Sequence, residues 1–391
     1  MKLISPSNNR IFYTSQFLHS LIFTIPIWIV YYQQKITVSQ ISFLVAYQYL
    51  IQVLGELPSG AMADLLGKRI TIVIGFLIGS ISFLLFPFAQ TFAHFFWLAT
   101  LVGISDSFLS GSVEALVYDS QKQDGLEAQF SKVQATHSFW YQIGLASSTI
   151  MGGYLFALNR NIPYVLYGLS LFFATLLALL YIEPKIDSAR FTFKNYLNQI
   201  KEGAKELFKD EHTKRISWFY IWVGAITWST QLYFKGVFLI ELGFSDRARG
   251  IIEGGLRLIN VLLIASVFKN SRFFTKQRSI WLFPLVMLLA FLPGLFASGY
   301  SGIPLVAGVM FASTARWILL SKYTNEAYDS KYRATAISTL SMLIGVIYIA
   351  LTLISGPIME HFGGSKMMYS LLGLLTLLTV LPLARKITRL S

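Results

Sequence analysis

Cysteine is absent from all 391 residues, which excludes disulfide frameworks, thiolate metal sites and cysteine nucleophiles and leaves the redox compartment unreadable. Charge is scarce as well: 13% of the residues are Asp, Glu, Lys or Arg, against roughly 25% in soluble domains. Acids are the rarer sign, 19 against 32 bases, and histidine occurs five times. A phosphate-cradling glycine loop ending in Lys-Ser or Lys-Thr, a zinc-binding helix motif and a serine nucleophile elbow are missing too. No enzyme chemistry, metal or cofactor is therefore expected. What the chain has instead is apolar bulk, 54% hydrophobic and 15% aromatic residues, with a mean hydropathy of +0.58. A water-soluble globule does not have this composition.

A helix needs about 20 mostly apolar residues to cross about 30 Å of hydrocarbon, and twelve such stretches begin near Ile11, Gln40, Ile70, Phe92, Val133, Ile162, Ile216, Ala248, Ile280, Gly302, Thr335 and Met367. The polar start, Met1 to Arg10, leads into a stretch too long and aromatic for a cleavable signal, so the first span is expected to be retained. A long polar segment divides the spans into six and six, which predicts bundles over 1–184 and 216–391 joined by a linker over 185–215. Twenty-four of the 32 Lys and Arg fall on the side that carries both termini, five on the other, and Lys235, Arg257 and Arg316 inside spans. This asymmetry predicts cytoplasmic termini. It also accounts for the net charge of +13 without nucleic acid as a partner. In the linker, Phe193, Tyr196, Leu197, Ile200, Ala204, Leu207 and Phe208 recur at steps of three and four among Lys201, Lys205 and Lys209. That pattern predicts an amphipathic helix on the inner leaflet, either as a plain tether or held by acidic lipid.

The segment from Gly55 to Arg69 reads Gly-Glu-Leu-Pro-Ser-Gly-Ala-Met-Ala-Asp-Leu-Leu-Gly-Lys-Arg. Gly60, Asp64, Gly67, Lys68 and Arg69 resemble the loop signature of the major facilitator superfamily, with Leu65 replacing its first base. Twelve spans and a long central segment extend the resemblance over nearly the whole chain. It implies an all-α integral membrane fold of two six-helix bundles, a small-molecule substrate, a monomer and a place in the cell (plasma or inner) membrane. It also implies that the loop is a conformational latch, in which Asp64 and Lys68 or Arg69 form a charge relay with Asp119 at the inner end of the fourth span. Physically, a carboxylate at a helix end can cap another helix, and adjacent bases can pair with acids on a neighbouring span. Plain topology charges are the other reading of Lys68 and Arg69. The halves echo one another weakly: aligning Ser39 with Ser245 sets Gly60 on Ser266 and Asp64 on Asn270. In the fifth span, Gly144, Ser148, Thr149, Gly152 and Gly153 are similar to the antiporter signature, although small faces also serve ordinary helix packing.

A charge at the bilayer centre costs roughly 2.5 to 3.5 kcal/mol on insertion scales, so intramembrane ionisable residues are functional candidates. They are His19, Glu56, Asp106, Glu114, His137, Lys235, Glu253, Arg257 and Arg316. The resemblance implies that the first, fourth, seventh and tenth spans line the cavity, and His19, Asp106, Lys235 and Arg316 fall one on each. Asp106, Ser110 and Glu114 step by four and would form one polar stripe on a continuous helix. Glu114 would then lie about 12 Å nearer the cytoplasm than Asp106. A carboxyl taken out of water can accept a proton from one side and release it to the other, which makes Asp106 the first candidate for proton coupling and Glu114 the second. A permanent ion pair of Asp106 with Arg257 is the competing reading, and Glu253, four residues before Arg257, is a rival partner. His19 is a candidate neighbour of the proton site, and a lone membrane histidine such as His19 or His137 also reads as a helix-helix hydrogen bonder. Glu56, two residues before Pro58, is a packing or gating residue, and Trp140, Trp222, Trp228 and Trp317 are candidates for stacking on a ring-bearing substrate.

Without a nucleotide site, transport would be driven by a gradient. Proton-coupled export of a small amphipathic or hydrophobic compound is the first expectation. Proton symport of a small organic anion on Lys235, Arg257 and Arg316 is the second, and lipid movement without solute coupling the third.

Overall fold

The computed structural model describes residues 5–185, 193–267 and 275–389, and all regular structure among the described residues is helical. The helices are α1 (Ser5–Ser20), α2 (Trp28–Gln33), α3 (Val38–Leu66), α4 (Lys68–Leu85), α5 (Phe92–Leu109), α6 (Ser112–Gln123), α7 (Phe130–Leu158) and α8 (Ile162–Ala178). They continue as α9 (Phe193–Leu207), α10 (Glu211–Ser229), α11 (Lys235–Glu241), α12 (Asp246–Val267) and α13 (Lys276–Phe291). Last come α14 (Gly302–Ala327), α15 (Arg333–His361), α16 (Gly364–Leu378) and α17 (Val380–Thr388).

Every apolar stretch marked in the sequence begins inside one of these helices. Among the described residues, six helical stretches are long and apolar enough to cross a membrane: 38–56, 68–88, 92–123, 276–296, 335–361 and 364–388. The others are shorter, as α8 with its 17 residues, or more polar, as α12 with Asp246, Arg247, Arg249, Glu253 and Arg257. Lys2, Arg190, Lys269, Asn270 and Arg272 lie outside the described residues, as do the side chains of Phe193, Tyr196, Leu197 and Ser266.

Contacts divide the chain into two compact units. Unit 1 holds Met1–Ile36, Tyr47–Phe193 and Asp246–Gly255, and unit 2 holds Thr37–Ala46, Lys194–Ser245 and Leu256–Ser391. Helices α3 and α12 therefore each run through both units.

In unit 1 a core of Phe12, Ile72, Phe76, Leu116, Tyr167, Leu171 and Tyr181 is buried where α1, α4, α6 and α8 meet. Pro58 sits within α3, where it removes one backbone donor and loosens the ladder. The adjacent Ser59 hydroxyl donates to the Ser107 carbonyl at 2.8 Å and ties this point to α5. The first turns of α12 join this unit through Arg249, whose guanidinium meets Asp246 and donates to the Pro26 carbonyl at 3.1 Å. A Cβ on Gly152 or Gly153 of α7 would overlap the carbonyls of Phe23 and Asp246 respectively. Small residues there permit the close approach.

In unit 2, α10 passes into a π-helical turn, Thr230–Phe234, before continuing as α11. The hydroxyls of Thr227, Ser229 and Thr230 bond back to the carbonyls of Val223, Ala225 and Ile226, a pattern that bends helices. Tyr233, inside the π-turn, shares a 2.8 Å hydrogen bond with Ser42 of the first turns of α3. Helix α9 covers Phe193–Leu207, and its end is docked: Leu207 is buried, and its carbonyl accepts from Ser217 at 3.0 Å. Asp210 caps α10 by accepting from the Thr213 N–H at 2.8 Å and its hydroxyl at 2.7 Å. Those bonds hold its carboxyl below the usual range.

Candidate functional site: a polar cavity in unit 1

Helix α5 stops one turn after Asp106. The Ser110 N–H still bonds the Asp106 carbonyl at 2.9 Å, but Gly111 takes a φ of 74° and the chain restarts as α6 at Ser112. Ser110, Gly111 and Ser112 have low helix propensity, and only glycine adopts this backbone readily. The expected continuous stripe of Asp106, Ser110 and Glu114 is thus corrected to two helix ends meeting at a break. The chain there is irregular where it lines a cavity, the setting in which membrane-embedded backbone tolerates such a break.

The cavity has a volume of about 430 Å³. Its polar lining includes Gln16, His19, Gln52, Asp106, Glu114 and His137, so four ionisable groups from α1, α5, α6 and α7 share one space. The Asp106 carboxylate accepts from Gln48 at 3.5 Å, and Ser110 donates to the Glu56 carboxylate at 3.2 Å. His19 packs edge-on against Phe76 and Tyr141, and His137 lies over Phe12 with ring centroids 4.6 Å apart. Neither His19 Nδ1 nor His137 Nε2 has a hydrogen-bond partner among the described residues.

Gln48 and Gln52 were not anticipated. With Glu56 they step by four along α3, and this polar stripe in an apolar helix was the available signal.

At the end of this unit the Lys68 ammonium meets the Asp119 carboxylate at 2.9 Å, the pairing that the loop resemblance implies. Gly67, with a φ of 93°, ends α3 and lets α4 begin at once. The start of α4 is capped by Glu183, which accepts from the backbone N–H of Lys68 at 2.8 Å and of Arg69 at 2.7 Å. Arg69 thus contributes its backbone to this cluster. Gly60 lies on α3, and Asp64 is exposed near its end.

The remaining candidates are distributed differently. Glu253 belongs to unit 1 and Arg257 to unit 2, the division falling after Gly255. Lys235 is buried at the start of α11, directly after the π-turn, and Arg316 is buried on α14. No group of His, Asp and Glu among the described residues is arranged to hold a metal ion.

The sequence profile of the Major Facilitator Superfamily matches residues 11–344. The uncharacterized MFS-type transporter YxaM of Bacillus subtilis (strain 168) is 26% identical over 372 residues, 91% of this chain and 90% of that protein. Multidrug resistance protein 1 of the same organism is 29% identical over 169 residues, 43% of this chain and 41% of that one. Among solved structures, the nucleoside transporter NupG superposes with a TM-score of 0.76 at 16% identity over 98% of both chains. A point mutant of the same transporter gives 0.75 over 99%. At that identity the likeness is one of fold.

Proposed function

The chain belongs to the Major Facilitator Superfamily, and from that premise we propose that it is a proton-coupled carrier that exports small amphipathic or hydrophobic compounds. In this reading twelve spans form two six-helix bundles in the cell membrane, with both termini in the cytoplasm.

The observation that carries the proposal is the cavity of unit 1. Asp106 stands in it beside Glu114, His19 and His137, while Phe12, Leu109 and Val113 supply apolar wall. A carboxyl with one long hydrogen bond, from Gln48, is free to exchange its proton, whereas a carboxylate locked in an ion pair is not. Mixed polar and apolar lining suits an amphipathic solute. Substrate entering from the cytoplasm displaces the proton from Asp106, and reprotonation from the other side resets the carrier. Glu114 and the two histidines lie where a proton leaving Asp106 would be relayed. Export is favoured over uptake by the likeness of Gly144 to Gly153 to the antiporter signature and by the relative named for multidrug resistance. The cluster of Lys68, Asp119 and Glu183 is assigned to the conformational latch, with Gly60, Asp64, Gly67 and Arg69 completing its loop.

The test is proton release into weakly buffered medium when a panel of amphipathic compounds is added to purified protein at neutral pH. Wild type should release protons and Asp106→Asn should not. Equal release from both would remove Asp106 from the coupling step. Proton uptake would instead support symport of an organic anion.

A further inference from the structure

Among the described residues two arginines are all but sealed from water, and the protein treats them differently. Arg249, 4% exposed, is neutralised by Asp246 and by the Pro26 carbonyl. Arg316, 1% exposed, has neither. No carboxylate or carbonyl among the described residues accepts from it, and its Nε and Nη1 are buried without a hydrogen-bond partner. A guanidinium cannot shed its proton to escape this situation, and a buried ion without a counter-charge is strongly unfavourable. Two ring faces offer partial relief, Tyr220 at 5.2 Å and Trp317 at 4.5 Å from the guanidinium carbon. Aromatic faces attract a cation but do not accept its N–H groups along the fork that guanidinium presents.

The surroundings are arranged to admit the group. On α10, Tyr220, Gly224 and Trp228 stand one turn apart, and a Cβ on Gly224 would come within 2.6 Å of Nη1 and 2.8 Å of Ile344. Glycine at this position is what leaves room for the guanidinium. One turn beyond Ile344 on α15, Tyr348 packs against Trp228 with ring centroids 5.2 Å apart. Around the cation stand the rings of Tyr220 and Trp317 and the aliphatic carbon of Ile344.

We propose that Arg316 is the receptor for an oxyanion carried by the transported solute, and that the solute is an organic acid: a carboxylate on a flat apolar body. Guanidinium presents two parallel donors that match a carboxylate, and the rings of Tyr220, Trp228 and Tyr348 match the body. The proposal rests on the transporter reading but on neither direction of transport, because binding at Arg316 requires no proton step.

Purified full-length protein in detergent, in low-chloride buffer at neutral pH, is titrated with sodium benzoate and followed by thermal shift and calorimetry. Benzamide serves as the neutral isostere, and sodium chloride and sodium phosphate as simple anions. Benzoate should stabilise the wild type, and benzamide should not. Arg316→Gln should abolish the effect. Arg316→Lys, which keeps charge but loses the fork, should weaken benzoate at least about tenfold. Gly224→Ala, which keeps the arginine but displaces it, should weaken binding as well. Arg316→Met should melt higher than wild type in ligand-free buffer, because it removes a buried charge that no carboxylate or carbonyl among the described residues satisfies. Lower melting would reveal a structural counter-charge and overturn the proposal. Benzoate binding that survives Arg316→Gln, or is matched by benzamide, would overturn it too. Chloride or phosphate giving the full Arg316-dependent shift would make this an inorganic-ion site and remove the solute from it. Asp106→Asn is read for proton release and Arg316→Gln for benzoate binding, so that either reading can fail without the other. Loss of Arg316-dependent binding with proton release intact would defeat the organic-acid proposal alone.

Discussion

Lys68 makes two contacts of different kinds. Its ammonium meets Asp119, and its backbone N–H, with that of Arg69, is taken by Glu183. The side-chain pair is largely shielded, with exposures of 13% and 19%, so breaking it should cost about 1–3 kcal/mol, between the values for surface and buried pairs. Lys68→Ala and Asp119→Ala should each lower the melting temperature and the transport rate. The double exchange Lys68→Asp with Asp119→Lys should recover more than half of the loss, since an acid at the first position of α4 also suits the helix dipole. A double exchange no better than the single variants, in melting and in transport, would show that the pair does not act as a unit. Glu183 still accepts from the backbone N–H groups of residues 68 and 69 in Lys68→Ala and Asp119→Ala, so those two variants test the ion pair apart from the cap.

At the scale of elements, the break between α5 and α6 separates the two cavity acids, Asp106 and Glu114. Gly111 has a φ of 74° and no atom within 4 Å of where a Cβ would stand, so Gly111→Ala makes no clash and acts through backbone preference. Placing alanine in a left-handed conformation costs roughly 1–2 kcal/mol. The variant should therefore melt lower than wild type or straighten the break, and in either case transport should slow while proton release by Asp106 on substrate addition persists. Unchanged melting and unchanged transport would mean that the break is incidental. Much of this layer was legible in the sequence, because hydrophobic runs and helical period are local properties. The break was less so: Asp106, Ser110 and Glu114 at steps of four fit a continuous helix equally well, and only the left-handed Gly111 between two serines distinguishes the cases. The role of Glu183 had no local signal at all, since the N–H groups that it caps lie more than a hundred residues earlier in the chain. The isolation of Arg316 was likewise invisible, because absence of a partner is a property of packing. Gln48 and Gln52, by contrast, were readable from their spacing with Glu56.

For the whole molecule, the missing cysteines become an experimental asset, as each one introduced is a unique reporter. Gln90, between α4 and α5, and Glu127, between α6 and α7, are both exposed. With cytoplasmic termini, a membrane-impermeant maleimide added to intact cells should label Gln90→Cys and spare Glu127→Cys, and lysis should expose both. The reverse pattern would invert the proposed topology. Of this scale the sequence told the family, through the loop from Gly60 to Arg69, while the distribution of bases supplies the expected direction that the labelling tests. It did not tell that compaction ignores chain order, because contacts such as that of Arg249 with Pro26 join residues 223 positions apart.

That last feature bears on biosynthesis. Unit 1 draws on residues 246–255, so when the ribosome has reached Phe193 the unit still lacks a wall, with Gly153 facing a neighbour that has not yet been made. At roughly 5–20 residues per second, the interval before Asp246 emerges is about 3–10 seconds. For that time an incomplete unit with its small-residue face uncovered sits in the membrane. A chain cut in the linker has the same deficit permanently until its other fragment arrives, so the two fragments should accumulate only when made together.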